Sequence, residues 1–579
     1  MVQFGHKNNL LEFCALCYPL IVRKEDQMNI PLSEYPRPQM KRDSYLCLNG
    51  KWSLRFISDG EKAETLSIMV PYAPESDFSG VGRTLQHYET MLYSTHVDFP
   101  DVDFSKERLL LHFGAVDYRA VVFVDKEQVA EHIGGYLPFS VEVDRSNFDL
   151  DVSVQDPGDS KEISRGKQSS EPGGIWYPKT SGIWQTVWME KVPKNYIENL
   201  QITPSLEGFD ITVITSDKAN GKAKLTLGDC DYDIDTDKVV HIDVKNPQLW
   251  TPENPYLYNF DITYGDDKIS SYVGLRTFGV GPDDKGVMRL LLNGKPYFHH
   301  GLLDQGYFKG GYYTPRSDDD YVNDILRMKS MGFNTLRKHI KVESLRWYYH
   351  CDRLGMLVWQ DMVNGGGQYK KLTIAAPLVL GSFFKDSQYD KFSREDAHER
   401  QVWEEEAYGT VRHLYNCTCI AMWVPFNEGW GQFDSERIVN NILKIDSSRT
   451  IDHASGWHDQ KIGKIQSLHV YFRPYRFKKD SLGRAVVLSE FGGYGLSLGE
   501  AERKLFTYKR YQSREELTKA IVKLYESQII PAKEKGLAAS IYTQVSDVEQ
   551  EVNGLLSYDR SVVKVDPNEL EKMSKKLLC

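Results

Sequence analysis

From residue 28 to residue 192, apolar positions come in short alternating runs with turn residues between them. LCLNGKWSLRF, RLLLHFGAV, RAVVFVD and GIWQTVWMEKV repeat with period two, as half-buried strands do. Helical periodicity is nearly absent, so this stretch reads as an antiparallel jelly-roll β-sandwich. From residue 193 to residue 280 the same rhythm continues in GFDITVITS, KAKLTLGD, KVVHIDVK and YNFDITYG. Turns at intervals of about ten residues suit a small immunoglobulin-like β-sandwich. No Cys…Trp…Cys spacing accompanies them, so that expectation rests on rhythm.

After residue 280 the pattern changes to strand, helix, strand, helix. Nearly continuous apolar runs, the mark of parallel strands buried on both faces, fall at residues 295–302, 333–339, 356–362, 419–428, 450–456, 465–471, 485–492 and 536–544. The fifth and sixth have little helix between them. The clearest intervening helix is SDDDYVNDILRMKSMG, residues 317–332. Ser317 can cap it, three aspartates favour its positive end, and Gly332 stops it. Eight such strands predict a TIM (β/α)8 barrel over residues 281–579. The fold class expected is therefore multidomain β plus α/β: jelly roll, immunoglobulin-like sandwich, then TIM barrel. Residues 1–27 read as an N-terminal extension.

A barrel of this kind places its active site at the C-terminal ends of its strands. Those ends carry Asp304 and Gln305, Arg337 and His339, Gln360 and Asp361, Asn427 and Glu428, His453, His469 and Tyr471, Glu490, and Tyr542 and Gln544. Glu428 and Glu490 stand out, because each ends a strongly apolar run where an unpaired charge is costly. Glycine follows each, directly or after one Phe, so the chain can turn sharply and leave the carboxylate in the mouth. Either glutamate alone could be paired with an arginine such as Arg337. Two of them, on strands four and seven, are the equipment of glycoside hydrolysis. Sequence does not separate the short retaining spacing from the longer inverting one.

Composition narrows the class. A length of 579 residues suits three or four domains at about 150 residues each. The net charge of −10 and the lack of any basic stretch argue against nucleic acid or an anionic membrane as partner. No run of about twenty apolar residues predicts a membrane span. The eight cysteines are scattered, and Cys14 and Cys17 form a lone CxxC, so neither a disulfide framework nor a zinc site is expected. A reduced, cytoplasmic setting fits. LLEFCALCYPLIV, residues 10–22, has the length of a signal-peptide core, but Glu12 interrupts it and RKED follows at once, so secretion is the lesser expectation. Aromatics make up 12% of the chain, which β packing largely explains. The Gly/Pro/Ser-rich stretch SSEPGGIWYPKTSGIW, residues 169–184, is either a plain surface loop or one that borders a binding site.

Several ordered motifs resemble glycoside hydrolase family 2, which holds β-galactosidases, β-glucuronidases and β-mannosidases. They are NGKPYF (293–298), GFNTLRKH (332–339), WYYHCDRLGMLVW (347–359), WVPFNEGW (423–430) and VLSEFGG (487–493). Upstream, KWSLRF, HYETMLY, SGIWQTVWME and VGLRTF fall where that family has comparable segments. The resemblance implies a retaining mechanism with Glu428 as general acid/base and Glu490 as nucleophile. It also implies that Asn427 binds the sugar 2-hydroxyl. Trp423, Phe426 and Trp430 offer apolar walls that would raise the pKa of Glu428, and Arg337 and Tyr471 could hold Glu490 ionised. His339, Asp361, His469, Trp430 and Tyr542 are further candidates for the sugar pocket. Trp457 either stacks on a sugar face or packs in the core.

The chain departs from the family pattern around that pocket. FHHGLLDQGY stands where many relatives carry an Asn-Arg-His run, the histidine of LRKHIKVE is shifted, and Tyr542 replaces a common tryptophan. The Asn-x-Lys pair with which family β-glucuronidases grip the substrate carboxylate is absent from NGLLSYDRSVVKV. The expectation is an exo-acting retaining β-glycosidase with a β-galactoside as leading substrate. β-Glucuronidase, β-mannosidase and a non-catalytic carbohydrate-binding protein are the alternatives. No cofactor is required by the residues, although some relatives bind Mg²⁺ or Na⁺ beside the active site, and homo-oligomers are common in the family.

Overall fold

The computed structural model describes residues 30–58, 63–218, 221–370, 372–374, 377, 384–498 and 505–579. The N-terminal extension, the CxxC pair and the apolar stretch at 10–22 lie outside them.

The first unit is two antiparallel sheets packed face to face, one of four strands and one of six. Its period-two pattern becomes a buried face: along Gly50–Ile57 the side chains of Trp52, Leu54 and Phe56 point inward and those between them do not. They meet Met91, Tyr93, Leu109, Leu111 and Phe113 in one core. The second unit is a sheet of three strands facing a sheet of four, closed over Phe209, Ile211, Val213, Leu225 and Ile262.

The third unit is an eight-stranded parallel sheet curled into a barrel. Its strands are β1 (His299–Asp304), β2 (Thr335–Lys338), β3 (Leu357–Asp361), β4 (Ile420–Val424), β5 (Thr450–Ile451), β6 (Ile465–Val470), β7 (Ala485–Gly492) and β8 (Leu537–Thr543). All eight predicted strands are present, in the order β5-β4-β3-β2-β1-β8-β7-β6. The ladder is open between β5 and β6. β5 is only two residues long and has little main chain to offer; side chains span the gap instead, with Ser455 Oγ 3.4 Å from Ser467 Oγ. Leu303, Trp359, Met422, Val424, Ile465, Val487 and Ile541 fill the interior, and Leu290 closes its N-terminal end.

Three boundaries differ from the sequence reading, and β5 stops at Ile451 although its apolar run reaches residue 456. The run at 295–302 is not one strand. Leu292 pairs with Lys295 across an Asn293–Gly294 turn in which both residues have positive φ, the conformation that Asn-Gly favours in tight hairpins. Lys295–Pro296 therefore belongs to a small antiparallel sheet under the barrel, and β1 begins four residues later than expected at His299. Asn427 and Glu428 lie beyond the end of β4 in the loop that follows. Among the helices, α1 (Asp318–Ser330) matches its prediction: the Asp320 carboxylate accepts the backbone N–H of Arg316 at 2.8 Å, and Gly332 takes φ +89° just beyond its end. α2 (Leu345–Leu354) and α3 (Ala397–His413) follow β2 and β3. Among the described residues no helix is long and apolar enough to cross a membrane.

The first sandwich is clasped to the barrel mouth. The backbone N–H groups of Arg165 and Gly166 both donate to the Asn364 carbonyl, at 2.9 and 3.0 Å. The Arg165 guanidinium donates to the carbonyls of Gly366 and Gly367. A loop from one unit thus reaches the C-terminal ends of strands in another.

Candidate active site

Glu428 has φ +51°, a left-handed conformation uncommon outside glycine. Backbone bonds on both sides impose it: Glu428 N–H donates to Ser455 O at 2.9 Å, and Trp430 N–H to Asn427 O at 2.9 Å. Gly429 follows with φ +74°, where a Cβ would stand 2.4 Å from the His458 ring. This turn aims the Glu428 carboxyl into the mouth. Glu490 enters from β7. One oxygen of each carboxylate and a ring nitrogen of His469 lie within 4.8 Å of one another.

Both carboxylates are buried, 8% and 4% exposed, yet their surroundings push them apart. Burial raises the pKa of Glu428, the charge of Glu490 adds to that, and the hydrogen bond from His469 Nδ1, 2.7 Å from Oε1, only partly offsets it. Burial also works against ionised Glu490, but there it is outweighed by His469, Arg337, Tyr471 and Lys167, so its pKa is held below the usual range. Arg337 Nη1 is 3.0 Å from Oε1 of Glu490, and the Tyr471 hydroxyl donates to Oε2. The pair thus offers a proton donor and an ionised carboxylate side by side, which is acid–base and nucleophilic capacity in one pocket.

Arg337 organises the floor. It donates to both oxygens of Asp361 at 2.9 Å each, to Glu490, and to Asn427 Oδ1 at 2.8 Å. Asp361 is thereby a support for Arg337, and burial, opposed by that arginine, lifts its pKa to about 6. The amide of Asn427 is held by its oxygen, while its Nδ2 is buried without a hydrogen-bond partner. Nε2 of His339 faces the Asn427 side chain and lies 3.6 Å from Oε1 of Glu490 with no hydrogen bond of ordinary length, while Nδ1 is engaged by Gln305 at 2.9 Å. Burial, with nearby cations, lowers the pKa of His339 well below its ordinary value, so the ring is neutral.

The aromatic candidates divide. Trp430 forms a cluster with Trp176 and Tyr369, with centroids 5.2 Å apart to Trp176 and 5.9 Å to Tyr369. Trp457 is half-buried and meets the His469 ring edge-on at 6.1 Å. Tyr471 stacks on Tyr508 at 3.9 Å. Tyr542 does not join the site. Side chains alternate along β8, so Ile541 faces the barrel interior and Thr543 touches Tyr471, while Tyr542 points outward against Phe491 and Tyr525. The apolar walls expected of Trp423 and Phe426 are also displaced: Trp423 donates to Asp446 at 2.8 Å, and Phe426 stacks on Trp403 of α3.

Three residues of the first sandwich, Lys167, Trp176 and Tyr177, reach the mouth, and sequence reasoning singled out none of them. The only signal was the aromatic and glycine content of residues 169–184, which left the loop undecided between surface and site.

Two family models match the chain: glycosyl hydrolases family 2 over residues 195–276, and the TIM barrel domain of glycosyl hydrolases family 2 over residues 287–562. The chain belongs to glycosyl hydrolases family 2. Within the family, it is 24% identical over 426 residues to the β-glucuronidase of Streptococcus agalactiae, covering 68% of each chain. It is 24% identical over 412 residues to the β-galactosidase of Thermoanaerobacter pseudethanolicus, covering 65% of this chain and 49% of that one. The chain spans only part of other family 2 relatives too, 32% of one from Formosa agariphila. A solved β-glucuronidase from an uncultured Clostridium superposes with a TM-score of 0.71 over 93% of this chain and 99% of that one, at 17% identity, so the fold is shared over that span.

Proposed function

We propose that this protein is a retaining β-glycosidase acting on β-linked uronosides, with a β-glucuronide as first candidate. The observation that carries the mechanism is the carboxylate spacing. The nearest oxygens of the two carboxylates lie within 4.8 Å, which suits the close approach of about 5 Å used for direct attack better than the roughly 6.5–9.5 Å between groups that leaves room for a water.

In this reading Glu490 attacks the anomeric carbon while Glu428 gives its proton to the departing glycosidic oxygen. The glycosyl ester left on Glu490 is then hydrolysed by a water whose proton returns to Glu428. Nδ2 of Asn427 donates to the sugar 2-hydroxyl, and Nε2 of His339 accepts from a neighbouring hydroxyl. The Trp176–Trp430–Tyr369 cluster gives the leaving group an apolar face. The reading invokes no metal: Glu428, His469 and Glu490 are spaced as cation ligands are, but Arg337 already sets a positive charge against Glu490.

The β-galactoside expected from the sequence gives way to a uronoside because the likeness to β-glucuronidases spans more of both chains. The test is a panel of nitrophenyl β-glucuronide, β-galacturonide, β-galactoside and β-mannoside, with the first-formed anomer followed by NMR. Preference for a uronoside with retained configuration supports the reading. Hydrolysis of neutral sugars alone refutes the substrate class, and inversion refutes the mechanism.

A further inference from the structure

We propose that Lys167, delivered from the N-terminal sandwich, is the residue that selects the substrate by receiving its carboxylate. The inference rests on the uronoside reading above and assigns that selectivity to one side chain.

Lys167 is 6% exposed, yet its Nζ makes no hydrogen bond among the described residues. Its ion-pair partner, Oε2 of Glu551, stands at 3.6 Å, beyond hydrogen-bond range. An ammonium has three donors, and here no acceptor among the described residues takes any of them. Glu551 is meanwhile occupied by the Tyr177 hydroxyl on Oε2 and by Asn553 Nδ2, 3.0 Å from Oε1. Glu551 therefore tempers the charge of Lys167 without consuming its donors.

The backbone around Lys167 is fixed. Its carbonyl accepts Tyr177 N–H at 3.0 Å. Gly166, at φ +59°, packs so closely that a Cβ would stand 2.7 Å from the Ile340 carbonyl. Nζ lies over the Tyr177 ring, 5.2 Å from its centroid. Lys167 thus sits between the loops that follow β2 and β8, and its charge acts on Glu428, Glu490 and His339 alike.

Four other cations near the mouth are spent on the fold. Arg337 serves Asp361, Glu490 and Asn427. Lys341 serves Glu343 and two carbonyls, and Arg165 serves the carbonyls of Gly366 and Gly367. Lys564, the lysine of the tail segment that lacks the Asn-x-Lys pair, is locked on Asp547 at 2.7 and 2.9 Å and on the Val552 carbonyl. Of these five, Lys167 alone keeps its donors free. A carboxylate is the ligand that satisfies a buried, partly neutralised ammonium best, through charge-assisted hydrogen bonds.

The experiment compares kcat/KM for matched aryl β-uronosides and neutral β-glycosides in wild type, Lys167→Met and Lys167→Arg. The expected result is a fall of about tenfold or more in the uronoside-to-neutral ratio for Met, with a smaller fall for Arg. A ratio unchanged in Lys167→Met, while wild type prefers uronosides, overturns the assignment and leaves the uronoside reading standing. A wild type active on neutral sugars alone overturns both. Should Lys167→Met not fold, Glu551→Gln decides. Removing the tempering charge is expected to lower KM for the uronoside and Ki for the free uronic acid, and unchanged values overturn the assignment.

Discussion

Nδ1 of His469 lies 2.7 Å from Oε1 of Glu428, and Nε2 of the same ring lies 3.6 Å from Oε1 of Glu490. One imidazole therefore touches both carboxylates, and it acts on both in the same direction, lowering their pKa values against the effect of burial. It restrains the rise at Glu428 and helps to secure the ionised state of Glu490. This places His469 as a positioning residue between the two groups.

Its replacement has a signed consequence for pH. His469→Leu removes a lowering influence from both carboxylates, so both limbs of the kcat/KM profile are expected to move to higher pH, with activity at the old optimum down on the order of tenfold. A purely structural role would lower activity without moving the limbs, and an acid shift contradicts the assignment.

Glu490→Gln removes the carboxylate that attacks in the proposed mechanism. Turnover of aryl glycosides is expected to fall by about four orders of magnitude or more, with folding preserved because Arg337 keeps Asp361 and Asn427. Wild-type turnover in that variant would dismiss the two-carboxylate mechanism.

Trp176 tests the contribution of the N-terminal sandwich. Trp176→Ala takes away the ring that packs on Trp430 and Tyr369. KM for aryl glycosides is expected to rise by about three- to tenfold, more than kcat falls, because the lost contact is stacking on the leaving group. An alkyl glycoside should show a smaller change; an equal change for both would argue that the ring shapes the sugar pocket instead.

Glu406 of α3 gives a stability prediction. Burial against the sandwich at Gly134–Gly135 lifts its carboxyl to about 7, against roughly 4.3 for an unfolded glutamate. Its folded pKa is raised, so the folded state favours the protonated form. The stability this group contributes is greatest below the unfolded value and is lost as pH rises through 7. Glu406→Gln should therefore raise the melting temperature more at pH 8 than at pH 5. An equal change at both values would mean that Glu406 is not buried in its charged form.

Whatever depends on neighbours along the chain is legible in the sequence. Periods of two and of nearly four residues are local properties, so the strands of both sandwiches, the eight barrel strands and α1 were legible from spacing alone. Glu428 and Glu490 were legible for the same reason: a carboxylate closing an apolar run and followed by glycine is conspicuous without any tertiary information. Where a local rule was passed over, the boundary moved, as at Asn293–Gly294, whose turn cuts the first predicted strand. Which side chains from distant segments converge is settled by packing. Tyr542 sits at a strand end as Glu490 does, but the pleat turns it outward, and one residue of phase decides that. His469 reaches both carboxylates only because barrel closure brings β6 between the loop after β4 and the strand β7. Lys167 and Trp176 belong to a sandwich hundreds of residues upstream; the aromatic, glycine-rich stretch that holds Trp176 suits a loop beside a site as well as one facing water, and Lys167 lies outside it. Their place in the mouth follows from how two separately cored units dock, and docking surfaces carry no periodicity for a sequence to display.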